Sequence, residues 1–346
     1  MQLVKLLKQI SINSIDDSKM VSLQDIEKAK KAIEIFVKQT PLIHSQFLSD
    51  FCGGATYLKL ENLQVTHSFK IRGAFNRMLH LSKSERSRGI ITASAGNHAQ
   101  AVAFAAEKLN FPAKIVVPKT TPRVKIDRIK GRSVELVLYG DIYDEAEQKA
   151  KELAKKENLA YISPYSDEWI IAGHGTIGLE ILEALPSVDS VIVPIGGGGL
   201  ISGVSIALKG VKPKVQVLGV QSEASPVMHE SLKAGRIIDV EMHESIAEGL
   251  FGGIEKRSIT FKLVQKYVDD IVLVREETIK KAIYLLWEKE RQVVEGSGAA
   301  AIAPIIEKKA LFTGKTTVAV ITGGNIEDEL FQRILTSEAN MHLKPS

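Results

Sequence analysis

Short apolar runs rich in β-branched residues alternate with longer helical patterns along most of this chain of 346 residues. Strands that alternate with helices pair in parallel, and a parallel sheet needs helices on both faces. The alternation therefore predicts an α/β fold with open, mostly parallel sheets flanked by helices. The predicted strands are residues 57–60, 90–93, 114–117, 134–138, 160–163, 190–195, 215–220, 271–274 and 316–321. The predicted helices include residues 23–37, 69–81, 98–108, 121–129, 141–157, 176–184, 200–208 and 276–291.

The charges and the cysteine content exclude several classes of protein. Lys and Arg number 45 against 41 Asp and Glu, which leaves a formal net charge of +4 and no field that indicates nucleic-acid or membrane binding. The basic residues 123–132 alternate with apolar ones and predict a solvated helix face. Cys52 is the only cysteine, so neither a disulfide nor a cysteine metal site is expected. No apolar run is long enough for a membrane span, residues 3–8 make a poor signal peptide, and a cytoplasmic location is predicted.

A run of four glycines follows the apolar residues 190–195 and precedes the helical pattern at residues 200–208. Glycine N–H groups can approach a ligand closely, and the first N–H groups of a helix lack internal partners. A strand, a glycine turn and a helix start thus predict a cradle for a phosphate group. The spacing fits neither a Walker loop nor a dinucleotide fingerprint, which favours a single phosphate. The alternative is an ordinary tight turn. The glycines are Gly196, Gly197, Gly198 and Gly199.

A G-x-G-x-x-G pattern occurs at Gly173, Gly175 and Gly178. Only a weak apolar run precedes it, and no acidic residue follows at the position that a dinucleotide site requires. We predict that this pattern marks a helix start that packs tightly against a neighbouring element.

Three further segments carry polar groups suited to a binding site. Lys70 stands between aromatic and aliphatic neighbours, where loss of solvation would make the amine lose its proton more readily and attack a carbonyl carbon. A lysine in such a context more often extends to solvent. Residues 92–98 form a small-residue turn after a strand, in which His98 is predicted to be a helix-start residue, with a role as a base as the alternative. Residues 321–325 form another strand-end turn, where the Thr322 hydroxyl could bind a heteroatom.

In order along the chain, these segments match a known set of motifs: Ser-Phe-Lys-Ile-Arg-Gly-Ala, Ser-Ala-Gly-Asn-His-Ala-Gln, Ala-Gly-His-Gly-Thr-Ile-Gly-Leu-Glu, Pro-Ile-Gly-Gly-Gly-Gly-Leu and Thr-Gly-Gly-Asn. The set resembles the fold type II enzymes that depend on pyridoxal 5′-phosphate (PLP), with a tryptophan synthase β-like fold. The closest resemblance is to threonine/serine dehydratases (ammonia-lyases) of the catabolic type, and serine racemases are relatives. It covers about residues 21 to 335.

The domain organisation expected for such a chain is a small domain inserted into a large one, since no low-complexity linker separates them. The expected large, PLP-binding domain comprises residues 21–88 and 167–335, and the small domain comprises residues 89–166. Residues 1–20 are expected to be an N-terminal arm and residues 336–346 a C-terminal tail.

The resemblance also implies the roles of individual residues. Lys70 would hold PLP covalently and act as the catalytic base, and Asn97 would bind the ring hydroxyl oxygen. Thr322 would lie beside the pyridine nitrogen, and residues 196–200 would bind the phosphate. The implied cofactor-binding residues are Lys70, Phe69, Asn97, Gly196, Gly197, Gly198, Gly199, Leu200, Gly249, Glu295 and Thr322. The implied substrate-binding residues are Ser94, Ala95, Gly96, Asn97 and His98.

Two departures from the racemase pattern favour a dehydratase. Racemases of this type place a serine on the face of the cofactor opposite the lysine, and that position is Ala95 here. Their divalent-ion ligands correspond to Gln221, Ser225 and Val227, so no such metal site is expected. The chain ends about twenty residues after Asn325, so a regulatory domain that binds isoleucine is not expected.

The expected activity is therefore elimination and deamination of L-threonine to 2-oxobutanoate and ammonia, with L-serine as a second substrate. A serine racemase, or a dehydratase of another β-hydroxy amino acid, is the alternative enzyme. A PLP-binding protein without efficient turnover and a nucleotide-binding module without PLP are alternatives of another class. The resemblance implies a homo-oligomer, a dimer or a tetramer.

Overall fold

The computed structural model describes residues 21–342. The expected N-terminal arm and the last four residues of the expected tail lie outside the described residues. Two sheets contain the described strands, one of six strands and one of four. The strands are β1 (Leu42–His44), β2 (Ala55–Leu60), β3 (Ile90–Ala93), β4 (Ala113–Val117), β5 (Glu135–Leu138), β6 (Ala160–Tyr161), β7 (Ser190–Pro194), β8 (Gln216–Ser222), β9 (Asp270–Val274) and β10 (Thr316–Ile321).

The helices pack on both faces of these sheets. Their ends follow capping residues in several places; Ser22, for example, caps the first described helix by accepting from the Asp25 N–H. The helices are α1 (Leu23–Ile33), α2 (Gln46–Cys52), α3 (Lys70–Leu79), α4 (Lys83–Arg88), α5 (Asn97–Leu109), α6 (Arg123–Lys130), α7 (Tyr143–Lys156), α8 (Glu168–Ala184), α9 (Gly199–Val211), α10 (Val227–Ala234), α11 (Ile259–Tyr267), α12 (Glu276–Glu290), α13 (Gly296–Ala299), α14 (Ala303–Glu307) and α15 (Asp328–His342).

The six-stranded sheet has the order β1-β2-β10-β7-β8-β9, and only β1 runs antiparallel to its neighbour. The four-stranded sheet has the order β5-β4-β3-β6 and is parallel throughout. Central strands such as β7 are buried along their whole length, because helices cover both faces. The predicted α/β class with mostly parallel sheets is confirmed. Strand β1 was not predicted, since its three residues are too short to show a periodicity.

The four strands of the smaller sheet all lie within residues 90–161, and the strands of the larger sheet precede and follow that range. Helix α3 connects the two sheets: its Ile71, Phe75 and Met78 share one apolar cluster with Ile90 of β3 and Val102 of α5. The start of α3 is therefore held between the sheets. The domain boundaries themselves remain a prediction.

The G-x-G-x-x-G pattern does not mark a helix start, so that part of its prediction is wrong. Helix α8 begins at Glu168, because the Asp167 carboxylate caps it by accepting two backbone N–H groups. The glycines lie in mid-helix. The predicted tight packing is present: a Cβ on Gly173 would lie 2.5 Å from the Arg72 carbonyl oxygen. The absence of side chains thus lets α8 approach the backbone of α3 closely.

Among residues 21–342, none of the helices combines the length and the apolar character that crossing a bilayer demands.

Candidate active site

Four turns meet where strands of the two sheets end. They follow β3, β7 and β10 and precede α3, and in parallel sheets the carboxyl ends of strands are where ligands bind. The turn before α3 is tied directly to the turn after β10. The Phe69 N–H donates to the Thr322 carbonyl oxygen over 3.1 Å, and Ser68 forms a β-bridge with Gly323.

Lys70 is the first residue of α3. Its backbone N–H donates to the Ser68 hydroxyl over 3.2 Å. Its amine Nζ donates to the Pro164 carbonyl oxygen over 2.8 Å and lies 5.2 Å from the centroid of the Phe69 ring. Burial lowers the pKa of Lys70 to about 8, while the nearby Glu295 carboxylate acts in the opposite direction. The amine therefore loses its proton far more readily than an exposed lysine does.

The glycine turn after β7 offers a row of unpaired N–H groups. The Ser202 N–H, which donates to the Gly198 carbonyl over 3.0 Å, begins the hydrogen-bonding of α9. No backbone acceptor within residues 21–342 receives the N–H groups of Gly196, Gly197, Gly198, Gly199 and Leu200. With the positive end of the helix dipole, they make a site for an anion.

Side chains would not fit on this turn. A Cβ on Gly197 would lie 2.5 Å from the Tyr165 ring, and one on Gly199 would lie 2.7 Å from the Tyr165 carbonyl oxygen. Gly198 has a φ of +87°, which side-chain-bearing residues rarely adopt. The turn is thus packed from behind by Tyr165, and its N–H groups remain available for a phosphate.

Asn97 has an amide whose orientation is set by two neighbours. Its Nδ2 donates to Glu295 Oε1 over 2.7 Å, and its Oδ1 accepts from Asn325 Nδ2 over 2.7 Å. Burial raises the pKa of Glu295 to about 7, and the hydrogen bond from Asn97 acts in the opposite direction. One N–H of the Asn97 amide is left to donate to a ligand oxygen. Asn325 was not predicted as a site residue, although it ends the Thr-Gly-Gly-Asn motif.

The turn after β3 leaves open space. A Cβ on Gly96 would meet no atom within 4 Å, and the Gly96 N–H donates to the Ser94 hydroxyl over 3.2 Å. His98 is instead directed into the small sheet. Its side chain is buried and its Nε2 lies 3.2 Å from the Ile162 carbonyl oxygen. Burial lowers its pKa to about 3, so the imidazole is neutral and can donate to that oxygen.

Two predicted positions border the glycine turn and the β10 turn. The Gly249 N–H donates to the Ser297 hydroxyl over 2.8 Å, and a Cβ on Gly196 would lie 2.9 Å from the Gly249 carbonyl oxygen. Thr322 is 3% exposed, and its hydroxyl has no hydrogen-bond partner within the described part of the chain. That hydroxyl is free to bind a ligand atom.

These groups suit a phosphorylated aldehyde with an aromatic ring. The unpaired N–H groups suit its phosphate, and the Lys70 amine can bond to its carbonyl carbon. The Asn97 amide and the Thr322 hydroxyl suit polar atoms on its ring. A sequence profile of the family described as "Pyridoxal-phosphate dependent enzyme" matches residues 33–323, most of the chain. This protein belongs to the pyridoxal-phosphate dependent enzyme family. PLP is therefore its cofactor, as predicted.

The chain resembles particular members of this PLP-dependent family. It is 46% identical over 317 residues to the "L-threonine ammonia-lyase" of Thermotoga maritima, across 91% of this chain and 78% of that protein. Threonine deaminase isoform 2 of Solanum lycopersicum, in its processed form, superposes with a TM-score of 0.86 at 35% identity, across 94% of this chain and 99% of that chain. Maize serine racemase superposes with a TM-score of 0.86 at 30% identity, across the same shares of the two chains. The predicted family is confirmed.

Gln221 stands where racemase-like members of the family were expected to bind a divalent ion, and its amide is used by the protein itself. Its Nε2 donates to the carbonyl oxygens of Ile195 and Ser225, and its Oε1 accepts from the His229 N–H over 2.8 Å. Within residues 21–342, no group of three or more His, Cys, Asp or Glu side chains is placed to hold a metal ion.

Proposed function

We propose that this enzyme eliminates water from L-threonine and deaminates the product to 2-oxobutanoate and ammonia, and that it converts L-serine to pyruvate in the same way. The observation that carries the proposal is the partly buried Lys70 amine, whose pKa is about 8, beside an anion cradle and the open turn at Gly96. The names of the threonine ammonia-lyase and threonine deaminase relatives support the choice of substrate.

In this proposal, Lys70 is the catalytic residue. Its amine holds the cofactor, is released when the substrate binds, and then removes the proton from Cα as a general base. Bound PLP supplies an acceptor for the electron pair left on Cα. Phe69, whose ring lies beside the lysine amine, packs beside the cofactor ring.

The remaining groups hold the two ligands. The N–H groups of residues 196–200 bind the cofactor phosphate, and the free N–H of Asn97 donates to the ring hydroxyl oxygen. Gly249 and Glu295 would line the far edge of the cofactor. The turn at Ser94, Ala95, Gly96, Asn97 and His98 would receive the substrate carboxylate, where the space beside Gly96 is open. The N–H groups of Ser94 and Gly96 already donate to the Val116 carbonyl oxygen and the Ser94 hydroxyl, so those of Ala95, Asn97 and His98 would serve the carboxylate.

Thr322 offers a neutral hydroxyl to the pyridine nitrogen. Unlike a carboxylate, a hydroxyl does not stabilise a positive charge on that nitrogen. With this neutral partner, loss of the β-hydroxyl group from the substrate would compete well with transamination.

The proposal is tested by measuring 2-oxo acid release from the PLP-loaded protein with L-threonine, D-threonine and L-serine as separate substrates. We expect rapid release from L-threonine, slower release from L-serine and none from D-threonine. Lys70→Ala is the control for catalysis. Bound, coloured cofactor with no 2-oxo acid from any substrate would instead indicate a PLP-binding protein without efficient turnover.

Serine racemisation is the second candidate, since maize serine racemase superposes closely on this chain. Racemisation needs a proton donor on the face of the cofactor opposite the lysine. The corresponding Ala95 has no such group, so we expect little D-serine to form beside pyruvate. Chiral chromatography of the products of L-serine measures the two reactions together.

We further propose that the enzyme is a cytoplasmic homo-oligomer, a dimer or a tetramer, with the small domain at residues 89–166. The resemblance to the dehydratases supports the assembly, and the grouping of β3 to β6 in one sheet supports the domain. Sedimentation velocity of the PLP-loaded protein measures the assembly, and a monomer at micromolar concentration would contradict it.

A further inference from the structure

Residues 162–167 connect β6 to α8 and pass directly beside the Lys70 amine. The Pro164 carbonyl oxygen accepts from Lys70 Nζ over 2.8 Å, which is the only hydrogen bond of this amine within the described residues. Neither Pro164 nor its neighbours belong to the motifs that predicted the site.

Tyr165 lies between that carbonyl and the glycine turn. Its ring is so close to Gly197 that a Cβ there would lie 2.5 Å from the ring carbon Cγ. Its phenol oxygen accepts from the Glu255 N–H over 3.0 Å. One side chain thus contacts the phosphate cradle and the segment after Gly249, and it follows directly on the carbonyl that accepts from the lysine.

The rest of the segment is anchored on both sides. The Ile162 carbonyl oxygen accepts from the Thr92 hydroxyl over 2.8 Å and lies 3.2 Å from His98 Nε2. The Ser166 hydroxyl accepts from the Ser258 hydroxyl over 3.1 Å. Between these anchors, the Tyr165 side chain packs against the glycine turn.

We propose that Tyr165 is a positioning residue, which holds the Pro164 carbonyl against the Lys70 amine and supports the glycine turn from behind. The inference rests on the proposed role of Lys70. When the amine is released from the cofactor, the carbonyl keeps it in place by accepting one of its N–H groups. The lone pair of the neutral amine is then directed away from the Pro164 carbonyl and is free to accept a proton. The same hydrogen bond suppresses random reorientation of the long lysine side chain.

The groups around Lys70 determine in which direction its pKa should change when the Pro164 carbonyl moves. Glu295 precedes α13, His98 lies on α5 and His174 lies on α8, and these are the titratable groups that influence the amine. Both histidines are buried and their pKa values are lowered, so they are neutral. The Pro164 carbonyl oxygen stabilises the protonated form of the Lys70 amine more than it stabilises the neutral form. Moving this acceptor away therefore lowers the pKa of Lys70.

The test measures how fast acetic anhydride acetylates Lys70 in the cofactor-free protein between pH 6 and 10, with peptide mass spectrometry to follow that lysine alone. Tyr165→Ala should move the midpoint of this pH profile down by about one pH unit. Tyr165→Phe keeps the ring and should leave the midpoint nearly unchanged. Tyr143→Ala is the matched control for loss of a nearby ring: Tyr143 lies close enough to Tyr165 to interact with it electrostatically, but its phenol donates to Glu147 and has no hydrogen bond to residues 162–167.

A second readout is the affinity for PLP, followed by quenching of tryptophan fluorescence. Tyr165→Ala should weaken binding roughly tenfold or more, because an unsupported glycine turn must be ordered by the ligand. Tyr165→Phe and Tyr143→Ala should change it less than threefold. Should Tyr165→Ala not fold, Tyr165→Leu, which keeps apolar bulk without the ring, must still lower the acetylation midpoint.

An unchanged midpoint in a folded Tyr165→Ala protein, or an equal shift in Tyr143→Ala, would overturn the proposal. Neither readout requires turnover. Failure here is therefore distinguishable from failure of the proposed function, which would appear as absent 2-oxo acid release in the wild-type enzyme.

Discussion

Two cations on the first turn of α3 have opposite environments. Arg72 is fully buried, and its guanidinium donates to both carboxylate oxygens of Glu61 and to those of Glu180. Lys70, two residues earlier, donates only to the Pro164 carbonyl within the described residues. The carboxylates raise the pKa of Arg72, whereas burial lowers that of Lys70.

The difference shows how one helix can carry a structural and a reactive cation. Arg72 belongs to a buried group of four charges with Glu61, Glu180 and Lys59, whose amine pairs with Glu180. Each charge there is paired with an opposite charge, as a buried ion requires. Lys70 is kept from a direct ion pair, so its amine can become a base or a nucleophile near neutral pH.

The largest expected effect is at the reactive cation. Lys70→Ala should lower 2-oxobutanoate release from L-threonine by roughly 10⁴-fold or more, because the base and the covalent attachment are both lost. The protein should lose little stability, since no carboxylate is left unpaired. Activity assays and the absorbance of purified protein measure both effects. A Lys70→Ala protein with the absorbance of covalently bound cofactor would contradict this assignment.

At the structural cation, the main loss should be of stability. Arg72→Met leaves Glu61 buried without its ion-pair partner and leaves Glu180 with Lys59 alone, and it should cost about 3–5 kcal/mol of unfolding free energy. Urea denaturation followed by circular dichroism measures it. Arg123→Gln is the control: the Arg123 side chain is 93% exposed, and its ion pair should contribute less than about 1 kcal/mol. Equal losses of unfolding free energy in Arg72→Met and Arg123→Gln would show that burial of an ion pair does not affect its contribution to stability.

The pH dependence should separate the two cations further. A protonated amine cannot attack the cofactor, so the rate of PLP attachment to the cofactor-free enzyme should rise about tenfold per pH unit below the Lys70 pKa. It should level off above a pH of about 8. Stopped-flow absorbance measures the rate. A midpoint near 10, as for a solvated lysine, would mean that burial does not affect this amine.

The smallest effect is expected across the cofactor from Lys70. Ala95→Ser introduces a hydroxyl that can exchange a proton on the face opposite the lysine, and it should raise the ratio of D-serine to pyruvate by up to about tenfold. Chiral chromatography of products from L-serine measures the ratio, with Ala95→Val as the matched control for size. An unchanged ratio would show that position 95 does not face the substrate Cα.

Local patterns predicted much of the fold and the main candidates at the site. A single contiguous stretch of sequence predicted the strand before Gly196, the glycine turn and helix α9. Apolar strands and glycine turns are recognisable from residues that are adjacent in the chain. Lys70, Asn97 and Thr322 were singled out by their neighbours in the chain, but the roles predicted for them came from the resemblance of their motifs to the PLP-dependent family. The mid-helix position of Gly173 was mispredicted, because its meaning depends on the Arg72 backbone packed against it.

The amino-acid order was enough to predict an α/β architecture, a phosphate cradle and a candidate reactive lysine, since each depends on neighbours in the chain. Folding established the Pro164 contact with Lys70, the packing of Tyr165 on the glycine turn, and the link from Asn325 through Asn97 to Glu295. These groups lie up to 228 residues apart in the chain. Their distances, and the pKa values that follow from burial, exist only once the two sheets have packed around α3.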